Sequence, residues 1–276
     1  MIITPKYGRL CNRLLLGANA ICHVAKYGGS YLQLGFEEYA HLFQTTAKHG
    51  ILFYKSHKKR PWRVRIPFDY LDTSELTDLL SILNGYGPRT DMSGKKFRRI
   101  EKRTEVLFAR GWNYRDPLAV QEFGDVARSF FTPTDDIAKK VSALMQRIDD
   151  RGKKALIGVH IRQTDYATFK NGEYFLSAAT YRKCMETVAK LFSKKVAFII
   201  ASDAPIAFKE FEGLEWYPAP NHITADNLAL SKCDYIIGVP STYSGWASFY
   251  GKTPIFQITN GVFPKSLNDF SIYNIS

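Results

Sequence analysis

The stretch Ala155-Leu156-Ile157-Gly158-Val159-His160-Ile161-Arg162-Gln163-Thr164-Asp165-Tyr166 decides the fold. An unbroken apolar run, Ala155–Ile161, passes straight into polar residues, as a buried strand does where it leaves the core. Working outward, a helix is expected over Ser177–Phe192 and a second buried strand over Val196–Ala201. A short helix follows at Thr224–Cys233, then a strand at Tyr235–Gly238, a helix at Ser244–Tyr250 and a strand at Pro254–Ile258. Apolar strands alternating with helices predict an α/β domain with a mainly parallel sheet.

The first half reads in the same way with weaker signals. Met1–Thr4 is a short strand, Pro5–Arg9 a loop, and a helix runs from near Asn12 to the stop at Gly28-Gly29, before a strand at Tyr31–Leu34. Asp72-Thr73-Ser74-Glu75 has the capping-box pattern ahead of a helix through Leu83. The polar, basic stretch Asn84–Arg103 reads as loop, and Glu105–Ala109 as strand. Thr132-Pro133-Thr134-Asp135 has the grammar of a helix start, with Thr132 as N-cap and Pro133 at N1. That helix runs to about Asp149, and Arg151-Gly152-Lys153-Lys154 marks the break between halves. The expected organisation is therefore two α/β domains, residues 1–150 and 151–276, with a ligand in the cleft beyond the carboxyl ends of the strands.

Composition bounds the function. The chain has 276 residues, 45% hydrophobic and 14% aromatic, enough for packed cores and against global disorder. Lys and Arg number 38 against 26 Asp and Glu, a net +12 that calls for an anionic partner. Cys11, Cys22, Cys184 and Cys233 form no Cys-x-x-Cys pair and read as reduced buried thiols. No apolar run reaches the length of a membrane span, so the expectation is a cytoplasmic protein. The basic runs His57–Arg60 and Lys95–Arg103 are either a solvated face or a peripheral contact for anionic lipid or a lipid-linked acceptor.

Three constellations carry chemistry. On the strand ending His160-x-Arg162-x-x-Asp165, His160 and Arg162 are two apart and share a face. The planar guanidinium of Arg162 suits a diphosphate and can stabilise its growing charge as a leaving group without a metal; a structural Arg162–Asp165 pair is the plain alternative. Thr224-Ala225-Asp226 and Pro240-Ser241-Thr242-Tyr243-Ser244-Gly245-Trp246 place hydroxyls and a carboxylate at two helix starts. Asp226 can accept from the N1–H and amine of guanine, and Ser241, Thr242 and Ser244 can line an anion site; equally, Thr224, Asp226 and Ser244 suit ordinary capping. Gly8-Arg9-Leu10-Cys11-Asn12-Arg13-Leu14 sits at a phosphate-cradle position between strand and helix. No Asp-x-Asp occurs and the six His show no metal-ligand spacing, so no metal is expected. Trp112, Tyr114, Trp216 and Trp246 serve either as a sugar platform or as core.

Together these elements, with Ile199-Ile200-Ala201-Ser202-Asp203, resemble the fucosyltransferase superfamily that includes bacterial α1,2-fucosyltransferases, α1,6-fucosyltransferases and protein O-fucosyltransferases. The resemblance spans the first residues to about residue 258 and departs at Cys11, Gln163 and Gly245. It implies a GT-B-like pair of Rossmann-like domains: residues 1–150 on the acceptor side, residues 151–276 holding the nucleotide sugar. It also implies inverting, metal-independent fucose transfer from GDP-fucose to a glycan hydroxyl in surface polysaccharide or glycan synthesis, with no cofactor. On this resemblance His160 sits at the nucleotide, Arg162 at the β-phosphate and Asp226 on guanine. Ser241, Thr242 and Ser244 hold phosphate or ribose, and Asn12 approaches the donor. Asp165 and Glu173 are the candidate bases. Two other readings stay open: the same fold with another nucleoside-diphosphate sugar, and a non-enzymatic basic binder of nucleic acid or anionic surfaces.

Overall fold

A computed structural model describes residues 1–58, 90–103, 106–109, 111, 113–148, 153–205, 208–259 and 261–276. The capping box at Asp72–Glu75 with its helix, Trp112, and Arg151-Gly152 lie outside the described residues. The chain divides into two compact units, Met1–Thr134 with Ile275–Ser276, and Asp135–Asn274.

In the first unit, β1 (Ile2–Thr4) leads into α1 (Leu10–Tyr27), then β2 (Ser30–Gln33), α2 (Glu37–Ala40), α3 (Gln44–Ala47) and β3 (Leu52–Lys55). β4 (Thr90–Asp91), α4 (Lys95–Arg103), β5 (Leu107–Phe108), β6 (Tyr114–Arg115) and α5 (Pro117–Phe130) follow. The sheet order is β3-β2-β1-β5, with β1 parallel to β2 and β5 and β3 antiparallel on β2; β4 and β6 form a separate parallel pair. α1 is buried almost all round and packs on α5. The last residues join this unit because Asn19 Nδ2 donates to the Ile275 carbonyl at 2.9 Å.

The second unit runs α6 (Asp135–Arg147), β7 (Lys154–Ile161), α7 (Ala178–Ala189), β8 (Lys195–Ser202), β9 (Trp216–Pro218), α8 (Ile223–Leu230), β10 (Tyr235–Gly238), α9 (Thr242–Gly251) and β11 (Ile255–Gln257). Its sheet is wholly parallel in the order β11-β10-β7-β8-β9. Chain order along the sheet therefore reverses between β7 and β10. Side chains leaving the carboxyl ends of these two strands meet at a topological switch point, where open α/β sheets bind ligands. Ala155, Ile157, Val159 and Ile161 pack with Phe198, Ile200, Ile237 and Tyr181 in the core beneath it.

Three sequence expectations are corrected. Asn84–Arg103 is not all loop: β4 and α4 form within it, because Phe97 and Glu101, four apart, are buried on one helix face while basic side chains take the other. Thr132 does not cap α6, which starts at Asp135. Instead Pro133 bridges Phe43, Gln44 N–H donates to the Thr132 carbonyl at 2.9 Å, and Thr134 N–H donates to Leu42 at 3.1 Å. α6 itself lies in the second unit, where it packs on α8 with Ile137, Val141 and Leu144 buried, so the boundary falls one helix before Arg151–Lys154.

Candidate functional site

His160 and Arg162 leave the end of β7, and Gly238 ends β10 directly opposite His160. A Cβ on Gly238 would sit 2.9 Å from the His160 carbonyl oxygen, so only glycine lets the two strands approach here. His160 is 3% exposed and its ring packs on Tyr243 with centroids 4.8 Å apart. Burial, helped by the neighbouring Arg162 charge, pushes its pKa down to about 3, so the imidazole is neutral at physiological pH. Its Nδ1 is buried and has no hydrogen-bond partner in the protein.

Arg162 makes a bidentate pair with Asp165, Nε to Oδ1 at 3.0 Å and Nη2 to Oδ2 at 2.8 Å. The pair engages two of five guanidinium N–H donors, so the fork is aimed while its other donors remain outside the pair. Asp203 adds a carboxylate oxygen 3.6 Å from Nε and the Tyr166 ring lies 4.9 Å from the guanidinium carbon. Burial opposes the charge on Arg162, but the Asp165 hydrogen bonds outweigh it and keep the pKa raised. Asp165, occupied in this way, is a positioning partner of Arg162.

Asp203 carries no role in the sequence reading, yet it ties the loop together. It accepts from the Gln163 N–H at 2.7 Å and from the Thr164 hydroxyl at 2.7 Å. The available signal was register: β8 pairs Ser202 with Ile161, which sets Asp203 against Arg162.

The caps differ from the expected ones. His222 caps α8 through Nδ1, accepting from the Thr224 and Ala225 N–H groups at 3.3 Å each. Asp226 accepts from the His222 N–H at 3.0 Å. Burial raises the Asp226 pKa, and the His222 and Asn221 N–H groups partly offset this. Thr224 Oγ1 is, with His160 Nδ1, a buried polar atom without a partner. Tyr243, on which the His160 ring packs, donates its hydroxyl to the Ile223 carbonyl at 2.7 Å, and its own carbonyl accepts from Asn227 at 2.7 Å. Ser241 caps α9 by accepting from the Tyr243 N–H at 3.2 Å. Thr242 is the first residue of that helix and half-buried, where N–H groups lack intrahelical partners. Ser244 is fully buried, its hydroxyl donating to the Ser241 carbonyl at 3.4 Å, so it presents no surface to a ligand and is not a cap. Gly245 carries no aromatic because Tyr273 fills that space, 2.7 Å from where its Cβ would be.

Glu173 is exposed and follows the 3-10 turn Phe169–Gly172; no hydrogen bond or ion pair found among the described residues joins it to Arg162 or Asp165. Tyr114 is buried core of the first unit, Trp246 is buried in α9, and Trp216 packs on Phe211. In the first unit Asn12 lies in the first turn of α1 against Gly8, whose φ of 59° and crowding by Asn12 both require glycine. Buried Arg13 fixes this loop, donating to the carbonyls of Gly8 and Gly35 and pairing with Glu38 at 2.7 Å. Among the described residues no three His, Cys, Asp or Glu side chains gather to hold a metal, and no helix is long and apolar enough to cross a membrane.

Family profiles and curated protein sequences give no match to this chain. Solved structures do. A variant of Arabidopsis thaliana FUT1 in complex with GDP superposes with a TM-score of 0.58 at 14% identity, over 98% of this chain and 73% of that one. NodZ alpha-1,6-fucosyltransferase soaked with GDP-fucose gives 0.56 at 14% identity, over 98% and 96%. Fucosyltransferase NodZ from Bradyrhizobium gives 0.57 at 12% identity, over 93% and 95%. The chain thus has the α/β fold with Rossmann-like sheets that its sequence predicts, and shares it with these fucosyltransferases.

Proposed function

We propose that the protein is an inverting glycosyltransferase of GT-B-like fold that moves fucose from GDP-fucose to a glycan hydroxyl, with the donor on the second unit. One observation carries this reading. Arg162, neutral His160 with an unpartnered Nδ1, and the α9 start all converge on the switch point of a parallel sheet. The fold is also one whose solved examples hold GDP or GDP-fucose.

Arg162 would grip the β-phosphate, with Ser241 and Thr242 at phosphate or ribose, and His160 and Asp226 on the nucleotide. The acceptor oxygen attacks the anomeric carbon as the bond to the β-phosphate oxygen breaks. The electron pair leaves with GDP, where the guanidinium meets it, and the acceptor proton passes to a base. Because Arg162 supplies positive charge at the leaving group, the reaction requires no metal on this reading. Asp165 is committed to Arg162, which leaves exposed Glu173 as the proposed base. Surface polysaccharide or glycan synthesis in the cytoplasm is the setting this chemistry fits, with the exposed cations of α4 available to an anionic membrane.

Two substitutions test the roles. Asp226→Asn replaces two acceptor oxygens with one acceptor and one donor, so GDP affinity should fall about 10- to 100-fold while UDP affinity stays as it was; calorimetry reads both. Glu173→Gln should lower kcat for transfer by roughly 10²–10⁴ without weakening GDP binding. A loss under about tenfold removes Glu173 from the role. Release of labelled fucose from GDP-fucose in EDTA tests the reaction as a whole. No release from GDP-fucose, with release from another nucleoside-diphosphate sugar, would move the donor assignment.

A further inference from the structure

Directly after Arg162, the turns Asp165–Ala167 and Phe169–Gly172 carry an aromatic cluster that the donor site does not use. Tyr166 and Phe169 stack with centroids 5.5 Å apart and planes 20° apart, and Tyr174 lies 6.0 Å from Tyr166 and 6.3 Å from Phe169. Tyr166 is a fixed base: it is buried, its hydroxyl donates to the Pro240 carbonyl at 2.7 Å, and its ring meets the Arg162 guanidinium. Phe169, stacked on that base, is nevertheless 48% exposed. The backbone holds it there. Lys170, Asn171 and Gly172 have φ of 47°, 58° and 78°, a left-handed run that lysine rarely joins. Lys170 is pinned in it by donating to the Tyr174 hydroxyl at 3.1 Å.

A rigidly backed aromatic face open to water fits a sugar. A pyranose presents a patch of C–H groups on one face, which the electron-rich ring face attracts and shields from water. Lys170, Asn171 and Glu173 follow Phe169 directly in sequence as polar partners for hydroxyls, the apolar-plus-polar mix of small-molecule sites. Tyr166 links Phe169 to the Arg162 guanidinium through two ring contacts, which puts the platform on the loop that follows the proposed donor site. We infer that Phe169, backed by Tyr166, is the stacking platform for a pyranose of the acceptor glycan. The word acceptor rests on the proposed function; sugar binding at Phe169 does not.

Saturation-transfer NMR on the full chain separates the two. The probes are methyl β-galactoside, methyl α-mannoside, N-acetylglucosamine and methyl α-L-fucoside, against the parent, Phe169→Ala and Phe169→Trp. At least one of the first three sugars should receive saturation on its ring C–H protons. That signal should fall roughly fivefold in Phe169→Ala and persist in Phe169→Trp, with GDP binding and thermal midpoint unchanged. Equal signals in the parent and Phe169→Ala overturn the inference. So does a response from none of the first three sugars; a response from the fucoside alone puts the donor sugar on the platform instead. A Phe169-dependent sugar signal in a protein that fails to bind GDP would sink the donor reading and leave the platform standing.

Discussion

Arg162→Ala should reduce kcat for fucose transfer by about 10²–10³, a loss of roughly 3–4 kcal/mol of transition-state stabilisation. The reason is where the charge develops. On the proposed reading, negative charge grows on the β-phosphate as the glycosidic bond breaks, and a pre-aimed guanidinium would meet it without reorganising. Asp165 and Asp203 do the aiming, since both carboxylates face the Nε edge. The fold should tolerate the change, because the Asp165 side chain is 42% exposed and can be solvated once its partner is gone. Arg162→Lys should fall between the two: it keeps a charge but loses the planar fork that Asp165 orients. Steady-state transfer assays, with circular dichroism as the folding control, read this directly. A folded Arg162→Ala protein with most of its activity contradicts the assigned role.

His23→Ala should give the largest loss of stability, about 3–5 kcal/mol in urea unfolding. His23 is completely buried in α1, with Nδ1 2.6 Å from Asp116 Oδ2 and Nε2 3.1 Å from Glu101 Oε1. Arg98 also pairs with Glu101 while stacking over Tyr27 at 3.7 Å. Asp116 additionally caps α5, accepting from the Ala119 N–H at 2.9 Å. Removing the imidazole takes one hydrogen-bond partner from each of two buried carboxylates at the junction of three helices. Burial alone would lower the His23 pKa, but the two carboxylate hydrogen bonds outweigh it and raise it. The stabilisation is therefore fully present below the unfolded-state value of about 6.5 and is lost as pH rises through the higher folded value. The parent should weaken as pH rises above about 6.5, and His23→Ala should lack the dependence. Matching urea midpoints for the two proteins would show that the network contributes nothing.

This network also shows what a local reading of sequence misses. His23 lies 93 residues from Asp116 and 78 from Glu101, so no spacing rule links them. Glu101 sits in a run so basic that only Phe97, four residues earlier, hints at a helix with a buried face. α5 did carry a signal, Asp116 as N-cap with Pro117 behind it, but a non-helical Phe123 beside Gly124 interrupts its apolar period. The Thr132-Pro133 pattern opens no helix because those residues pair with Leu42–Gln44, about ninety positions earlier.

In the second unit the reverse holds. Strands buried on both faces are continuous apolar runs, so β7, β8 and β10 could be read within a residue or so. His160, Arg162 and Asp226 stand out because polar residues at such strand and helix ends are exceptions to the pattern. Ser244 was legible only as a hydroxyl; that it turns inward depends on helix phase, with α9 starting at Thr242 rather than at Ser244.

Calorimetric titration of the purified protein with GDP and then UDP, both in EDTA, tests the central claim most directly. The account predicts that GDP binds, that UDP binds far more weakly because it lacks the donor pair facing Asp226, and that EDTA changes neither. Equal binding of the two nucleotides would contradict the guanine site. Binding of neither, alongside salt-sensitive retention on a polyanion, would contradict the donor site altogether and leave a basic surface binder built on a glycosyltransferase fold.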